Sequence, residues 1–198
     1  TLAENASLTV ASTDGNQALE FDNTVMQGAA ATTTTVVASN GSFVTLNNVS
    51  GATDFAVSGD GRVILPTANS YTGTTVIGGA ASVIVRNTNS LGAGAGTTVN
   101  TGGALVLEAN NVAENIVING AGNGNFSAAL FDNSSAILDF LGTISVATNA
   151  TIQSQGGGEF DLNGAITIQG GATLSMDADS RIDVDTTITG DATTGLLV

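Results

Sequence analysis

From Ile116 onward, apolar and polar residues alternate with a period of two. Ile116 and Ile118, Leu138 and Phe140, Ile144 and Val146, Phe160 and Leu162, Ile166 and Ile168, Leu174 and Met176, and Ile182 and Val184 stand at i and i+2. Val117, Asp139, Ser145, Asp161, Thr167, Ser175 and Asp183 separate them. Side chains alternate across an extended strand, so this pattern predicts short strands with one buried and one wet face. The N-terminal half repeats it through Leu8/Val10, Leu19/Phe21, Phe55/Val57 and Val63/Leu65. Ile64, Ile84 and Val106 break the rule, being aliphatic where the outer face is expected. That region is expected to be covered or packed against something.

Glycine- and asparagine-rich corners separate the strands: Asn40-Gly41, Ser58-Gly59-Asp60-Gly61, Gly78-Gly79, Gly102-Gly103, Asn119-Gly120, Gly156-Gly157-Gly158, Asn163-Gly164 and Gly170-Gly171. Gly and Asn tolerate the positive φ of a sharp turn, so many corners mean many short strands. Strands begin every 6 to 12 residues or so, and three of them make a turn of roughly 20 to 30 residues, the range of solenoid repeats, with room for about seven coils. An antiparallel sandwich has similar spacing. Against it stand the number of strands, the small aliphatic core residues, and internal echoes. Thr97-Thr98-Val99-Asn100-Thr101-Gly102-Gly103-Ala104-Leu105-Val106-Leu107 returns as Ile166-Thr167-Ile168-Gln169-Gly170-Gly171-Ala172-Thr173-Leu174-Ser175-Met176. The expected fold is all-β, one solenoid domain over residues 1–198 with about three short strands per coil.

Charge narrows the function. Seventeen acidic residues face three basic ones, Arg62, Arg86 and Arg181, for a net charge of −14. Such a surface repels a phosphate backbone, which excludes nucleic acid and anionic membranes as partners. No apolar run approaches the roughly 20 residues a spanning helix needs, so this segment is not expected to insert in a membrane. Thr1 to Ser7 carry neither a basic start nor an apolar stretch, the expectation for a mature subunit or a fragment of a longer protein. With no His, Cys or Lys, the Ser-His-Asp, Cys-His and Ser-Lys arrangements are impossible.

Carboxylates are the remaining reactive groups. Asp139 and Asp161, each central in an alternating strand, are the pair that a polysaccharide-cleaving solenoid would use, because glycosidases need two carboxyls at a set separation. Asp177, Asp179, Asp183 and Asp185 around Arg181 form the densest charge cluster and are the calcium candidates, since calcium takes several carboxylate oxygens. They lack the EF-hand order, and Asp183 and Asp185 simply alternate with Ile182 and Val184, as a solvated edge would. The run Gly120-Ala121-Gly122-Asn123-Gly124 has no lysine and no helix signal after it, so it reads as a loop and not a phosphate cradle. No catalytic residue and no cofactor are expected.

Residues Asn69 to Leu107, NSYTGTTVIGGAASVIVRNTNSLGAGAGTTVNTGGALVL, carry a more specific pattern. Asn69, Tyr71, Gly73, Thr75, Val76, Gly79, Val83, Leu91, Gly92, Val99, Gly103 and Leu105 occupy the positions of the autotransporter-associated β-strand repeat, which this stretch resembles. It departs in having one Gly after Tyr71-Thr72 and Ala81-Ser82-Val83 in place of Gly-Thr-Leu. Ala128 to Met176 resembles the segment C-terminal to the repeat in such proteins, so the likeness covers a little over half the chain. It implies a right-handed parallel β-helix exported across a bacterial outer membrane to the cell surface or beyond.

Thr1-Leu2-Ala3 and Gly195-Leu196-Leu197-Val198 show no amphipathic capping helix, and an uncapped solenoid invites end-to-end stacking. The expected function is a non-catalytic, adhesive or structural surface module that associates with itself, possible partners otherwise being surface glycans. The alternatives are a glycan-binding or polysaccharide-cleaving β-helix and a passive stalk of an autotransporter passenger.

Overall fold

The computed structural model of the chain describes residues 1–14, 17–30, 32–94 and 96–190, and the backbone of 195–197. Val198, at the end of the apolar terminus, lies outside the described residues. Strands β1 (Ser7–Ala11), β2 (Ala18–Asp22) and β3 (Val25–Met26) make a first coil, and β4 (Thr33–Ser39), β5 (Phe43–Asn47) and β6 (Ser50–Gly51) a second. The next three coils are β7 (Asp54–Gly59) with β8 (Arg62–Leu65), β9 (Thr75–Ile77) with β10 (Ser82–Val85), and β11 (Thr97–Val99) with β12 (Ala104–Leu107). A sixth coil holds β13 (Ile116–Gly120), β14 (Leu130–Asp132) and β15 (Leu138–Phe140). In the seventh, β16 (Ile144–Ser154) runs along two faces before β17 (Glu159–Leu162). Strands β18 (Ile166–Ile168), β19 (Thr173–Ala178) and β20 (Arg181–Val184) come next, then β21 (Ile188–Gly190) and β22 (Gly195–Leu197).

Each strand pairs in parallel with the strand one coil away, never with its neighbour in sequence, as in β1 on β4, β11 on β13 and β17 on β20. The chain is therefore a parallel β-helix of about eight turns. One coil takes from 19 residues, Thr97 to Ile116, to 30, Gly120 to Ala150 across a bulge. Inward positions fill a single continuous core along the axis, with Phe55, Tyr71, Phe140 and Phe160 its largest fully buried side chains apart from aliphatics. Period-two patterning thus translates directly into one face per strand inside the tube.

Coils three to five have two strands instead of three, their third side being tied to its neighbours by scattered backbone bonds, such as that from the Ser70 amide to the Val49 carbonyl (2.8 Å), and by side chains. Asn69, buried, accepts from the Val49 amide through Oδ1 (2.7 Å) and donates through Nδ2 to the Ser90 carbonyl, linking three successive coils. Ser90 Oγ donates to the Leu65 carbonyl at 2.6 Å. Tyr71 turns its ring into the core edge-on to Phe55, 5.7 Å between centroids, and its hydroxyl meets Thr75 Oγ1 at 2.7 Å. The Asn-x-Tyr-x-Gly pattern is thus a corner clamp plus a core filler.

The internal echo stacks in register on the first face, where Thr97 lines up with Ile116, Ile144 and then Ile166. On the second face Leu105 leads through Leu130 and Ile152 to Met176, not to Leu174. That is a slip of two residues, which leaves inward side chains inward.

Candidate functional site

The third face of the last coils gathers most of the charge that the sequence singles out. On β15, β17 and β20 the apolar residues point inward, leaving every second residue outside. Parallel register then places Asp139 beside Asp161 and Asp161 beside Asp183, a column of carboxylates at the strand spacing of about 4.8 Å. Glu159 lies next to Arg181 in the flanking column. Exposed Ile137 and Leu141 frame Asp139.

Like charges at this spacing repel, and the face manages them unevenly. Arg181 pairs with Glu159 Oε1 at 2.7 Å and also with Asp183, while Asn163 Nδ2 donates to Asp139 Oδ1 at 3.2 Å. Asp161 sits between them with Oδ1 occluded from solvent and without a hydrogen-bond partner. Desolvation, joined by the charges of Glu159, Asp139 and Asp183, holds its carboxyl above the usual aspartate range. One oxygen each of Glu159, Asp161 and Asp183 lies within 4.8 Å of the others, a set of donors chemically suited to a hard cation. Arg181 neutralises two of these three carboxylates.

Of the four calcium candidates, this group includes Asp183 alone. Asp177 lies on the second face, where it accepts from Gln153 Nε2 at 3.1 Å, and Asp179 in the following turn accepts from Gln155 Nε2 at 3.2 Å. Asp185 comes after β20, its amide bonded to the Leu162 carbonyl. Closeness in sequence disperses around a corner, whereas Glu159 and Asp161 arrive from the coil before. The pair Asp139 and Asp161 does meet, as register partners. Glu159 was legible as an outward residue two places before Asp161, but only the register shows what it faces.

Two carboxyls off this face also have raised pKa values. Asp132 is fully buried, accepting from the Ser134 amide at 2.7 Å and from Ser154 Oγ at 2.8 Å, and burial raises its pKa against those bonds. Glu114, accepting from Thr97 Oγ1 at 2.9 Å, is likewise raised by burial.

The ends form the second candidate surface. Strands β1 and β2 pair on one side only, with β4 and β5, and β3 meets β6 and a single bridge from Leu2. At the other end β20, β21 and β22 pair only with β17, β18 and β19. Each end thus exposes one strand edge per face among the described residues. The first coil opens a cavity of about 360 Å³ lined by Leu2, Leu8 and Phe21 with Glu20 and Asp22 at its mouth. At the far end Ile182, Val184 and Ile188 are only partly covered.

Comparison with protein-family models, curated proteins and solved structures finds no match for this chain.

Proposed function

We propose that the chain is a non-catalytic extracellular surface module, of the autotransporter-passenger kind, that works as a structural and adhesive β-solenoid and associates with itself end to end. The observation that carries this reading is the like character of the first and last described coils, whose strands each pair on one side only. Unpaired strand edges present rows of amide and carbonyl groups that template another strand. Faces at the two ends occur in the same cyclic order: β20, β21 and β22 at one, the Leu2 segment, β1 and β2 at the other. A second copy stacked in the same sense continues all three faces, and its Leu8 and Phe21 meet partly covered Ile182, Val184 and Ile188. Such a contact is heterologous and does not close, so it builds filaments.

Light scattering and negative-stain microscopy of the purified chain test this, with mass rising with concentration and unbranched rods as the expected result. A strictly monomeric species over a wide concentration range removes the proposal. The rival reading, a β-helix acting on polysaccharides, draws support from the adjacency of Asp139 and Asp161. Failure to bind or cleave a panel of neutral and acidic glycans removes that rival.

A further inference from the structure

The outer side of the second face carries an apolar column that no neighbouring coil covers. Register aligns Ile64, Ile84, Val106 and Phe131, four residues from successive coils, all pointing away from the axis. The column is polar on either side, with Thr45 before it and Gln153 and Asp177 after it. Strands β10, β12 and β14 are consequently buried on both faces, whereas β8 alternates.

What covers the column is the chain itself. The turn from the first to the second face occupies 78–81, 100–103 and 169–172 in other coils, but 121–129 after β13. The longer segment folds back over the sheet. Phe126 packs edge-on against Phe131, 5.1 Å between centroids, and joins Ile84, Ala104, Val106 and Ala128 in a second apolar cluster separate from the core. Asn123 Nδ2 donates to the Ala81 carbonyl and to Ser82 Oγ, two coils back, while Asn125 reaches the Asp60 carbonyl, three coils back. The Arg62 guanidinium lies over the rings of both Phe43 and Phe126 and donates to Asn125 Oδ1 at 3.0 Å. At Gly122 (φ 75°) a Cβ would lie 2.2 Å from the Phe126 carbonyl oxygen, so the segment closes tightly on itself.

Apolar residues occupy this column only in the coils the segment crosses. We propose that residues 121–127 form an autoinhibitory strap, which occupies in cis a flat apolar face that would otherwise stack against the same face of a second copy. Apolar sheet faces pack on one another about 10 Å apart, and an uncovered patch of this kind drives association. Polar Asn123 and Asn125 fasten the strap from above, and Arg62 pins it from below. The strap lies on the side of the solenoid and does not depend on contacts at its ends.

The test compares the parent chain with Phe126→Ala, and with Phe126→Ala carrying Ile84→Thr and Val106→Thr. Phe126→Ala is expected to bind the dye anilinonaphthalene sulfonate severalfold more and to form side-by-side assemblies in sedimentation and microscopy. The two added threonines are expected to abolish both effects while leaving any end-to-end growth as in the parent. Unchanged dye binding and mass in a Phe126→Ala variant with the parent's β-sheet circular dichroism overturns the proposal. If that variant loses its β-sheet spectrum, Asn123→Ala with Asn125→Ala unfastens the strap and keeps every apolar side chain. Faster amide exchange at 82–85 and 104–107 then supports the strap. Unchanged exchange overturns it, as does unfolding of this variant too, which would make the segment part of the folding unit and not a cover.

Discussion

At the corners the α-carbon of one coil lies against the carbonyl of the next. A Cβ on Gly142 would sit 1.8 Å from the Glu114 carbonyl oxygen, on Gly164 1.9 Å from that of Gly142, and on Gly156 1.7 Å from that of Ser134. None of these three has a positive φ. Turn geometry explains Gly41 and Gly79, with φ of 70° and 65°, but close stacking of coils is what demands glycine here. Gly142→Ala must push two backbones apart and is expected to cost about 3 kcal/mol, in the upper part of the range for single substitutions. Gly124→Ala, where nothing lies within 4 Å, is expected to stay within about 0.5 kcal/mol. Urea unfolding midpoints measure both, and equal costs would refute the close-approach argument. A second residue-scale outcome concerns Asn69. Replacing it by Ala leaves the buried Val49 amide unpaired and is expected to cost about 2 kcal/mol in the same assay, against about 1 kcal/mol for Tyr71→Phe, which loses one hydroxyl bond.

Strands explain what was legible in the sequence and what was not. Period-two alternation from Ile116 to Val184 marks each strand and its inward face, and glycine corners mark the turns, so the parallel β-helix could be read residue by residue. Alternation is a property of one strand, however, and a site made across strands depends on register. Asp139 and Asp161 share an apolar-Asp-apolar triplet with Asp183, and that shared pattern is the only trace in the sequence of the column they form. Asp177, by contrast, lies six residues from Asp183 and yet turns to another face, because the corner at Asp179-Ser180 intervenes. The aliphatic outer column was visible as an anomaly at Ile64, Ile84 and Val106, while its cover was not, since a Gly/Asn-rich segment gives no sign of where Phe126 lands. The carboxylate column has a measurable consequence. Asp161→Asn removes the central charge and supplies a donor to its neighbours, so it is expected to raise the urea midpoint at pH 7.5. The gain should shrink as pH falls through the raised pKa of Asp161 toward the ordinary value of about 3.9, where the parent is itself protonated. An Asn variant less stable than the parent at pH 7.5 would show that the column is held together by something other than relief of repulsion.

Over the whole molecule, acidity sets how stability and association respond to solution conditions. Glu114, Asp132 and Asp161 all have pKa values raised in the folded chain, with burial the first cause in each. Between the ordinary carboxylate range and these raised values the folded state binds more protons than the unfolded one, so stability falls as pH rises through that window. A net charge of −14 acts in the same direction, through self-repulsion of the compact form. The melting temperature is therefore expected to rise as pH is lowered from 7.5 toward the ordinary carboxylate range, and a fall throughout would contradict the raised pKa values. Association at the ends depends on the same charges. Glu20 and Asp22 border the opening of the first coil, and Asp183 and Asp185 lie on and beside β20 at the other end with Arg181 as the one cation there. Stacked copies would set the acids of β20 against the Leu2 segment and those of β2 against β22, on different faces, so their repulsion acts across the tube, where it is screened over about 10 Å at 0.1 M salt and over 3 Å or so at 1 M. Burial of Leu8, Phe21, Ile182 and Val184 favours the contact at any ionic strength, while the repulsion fades as salt is added. Light scattering at constant protein concentration is therefore expected to show mass increasing with salt. Dissociation by salt would mean that the contact is made by opposite charges, and so is not the end-to-end stacking of acidic coils.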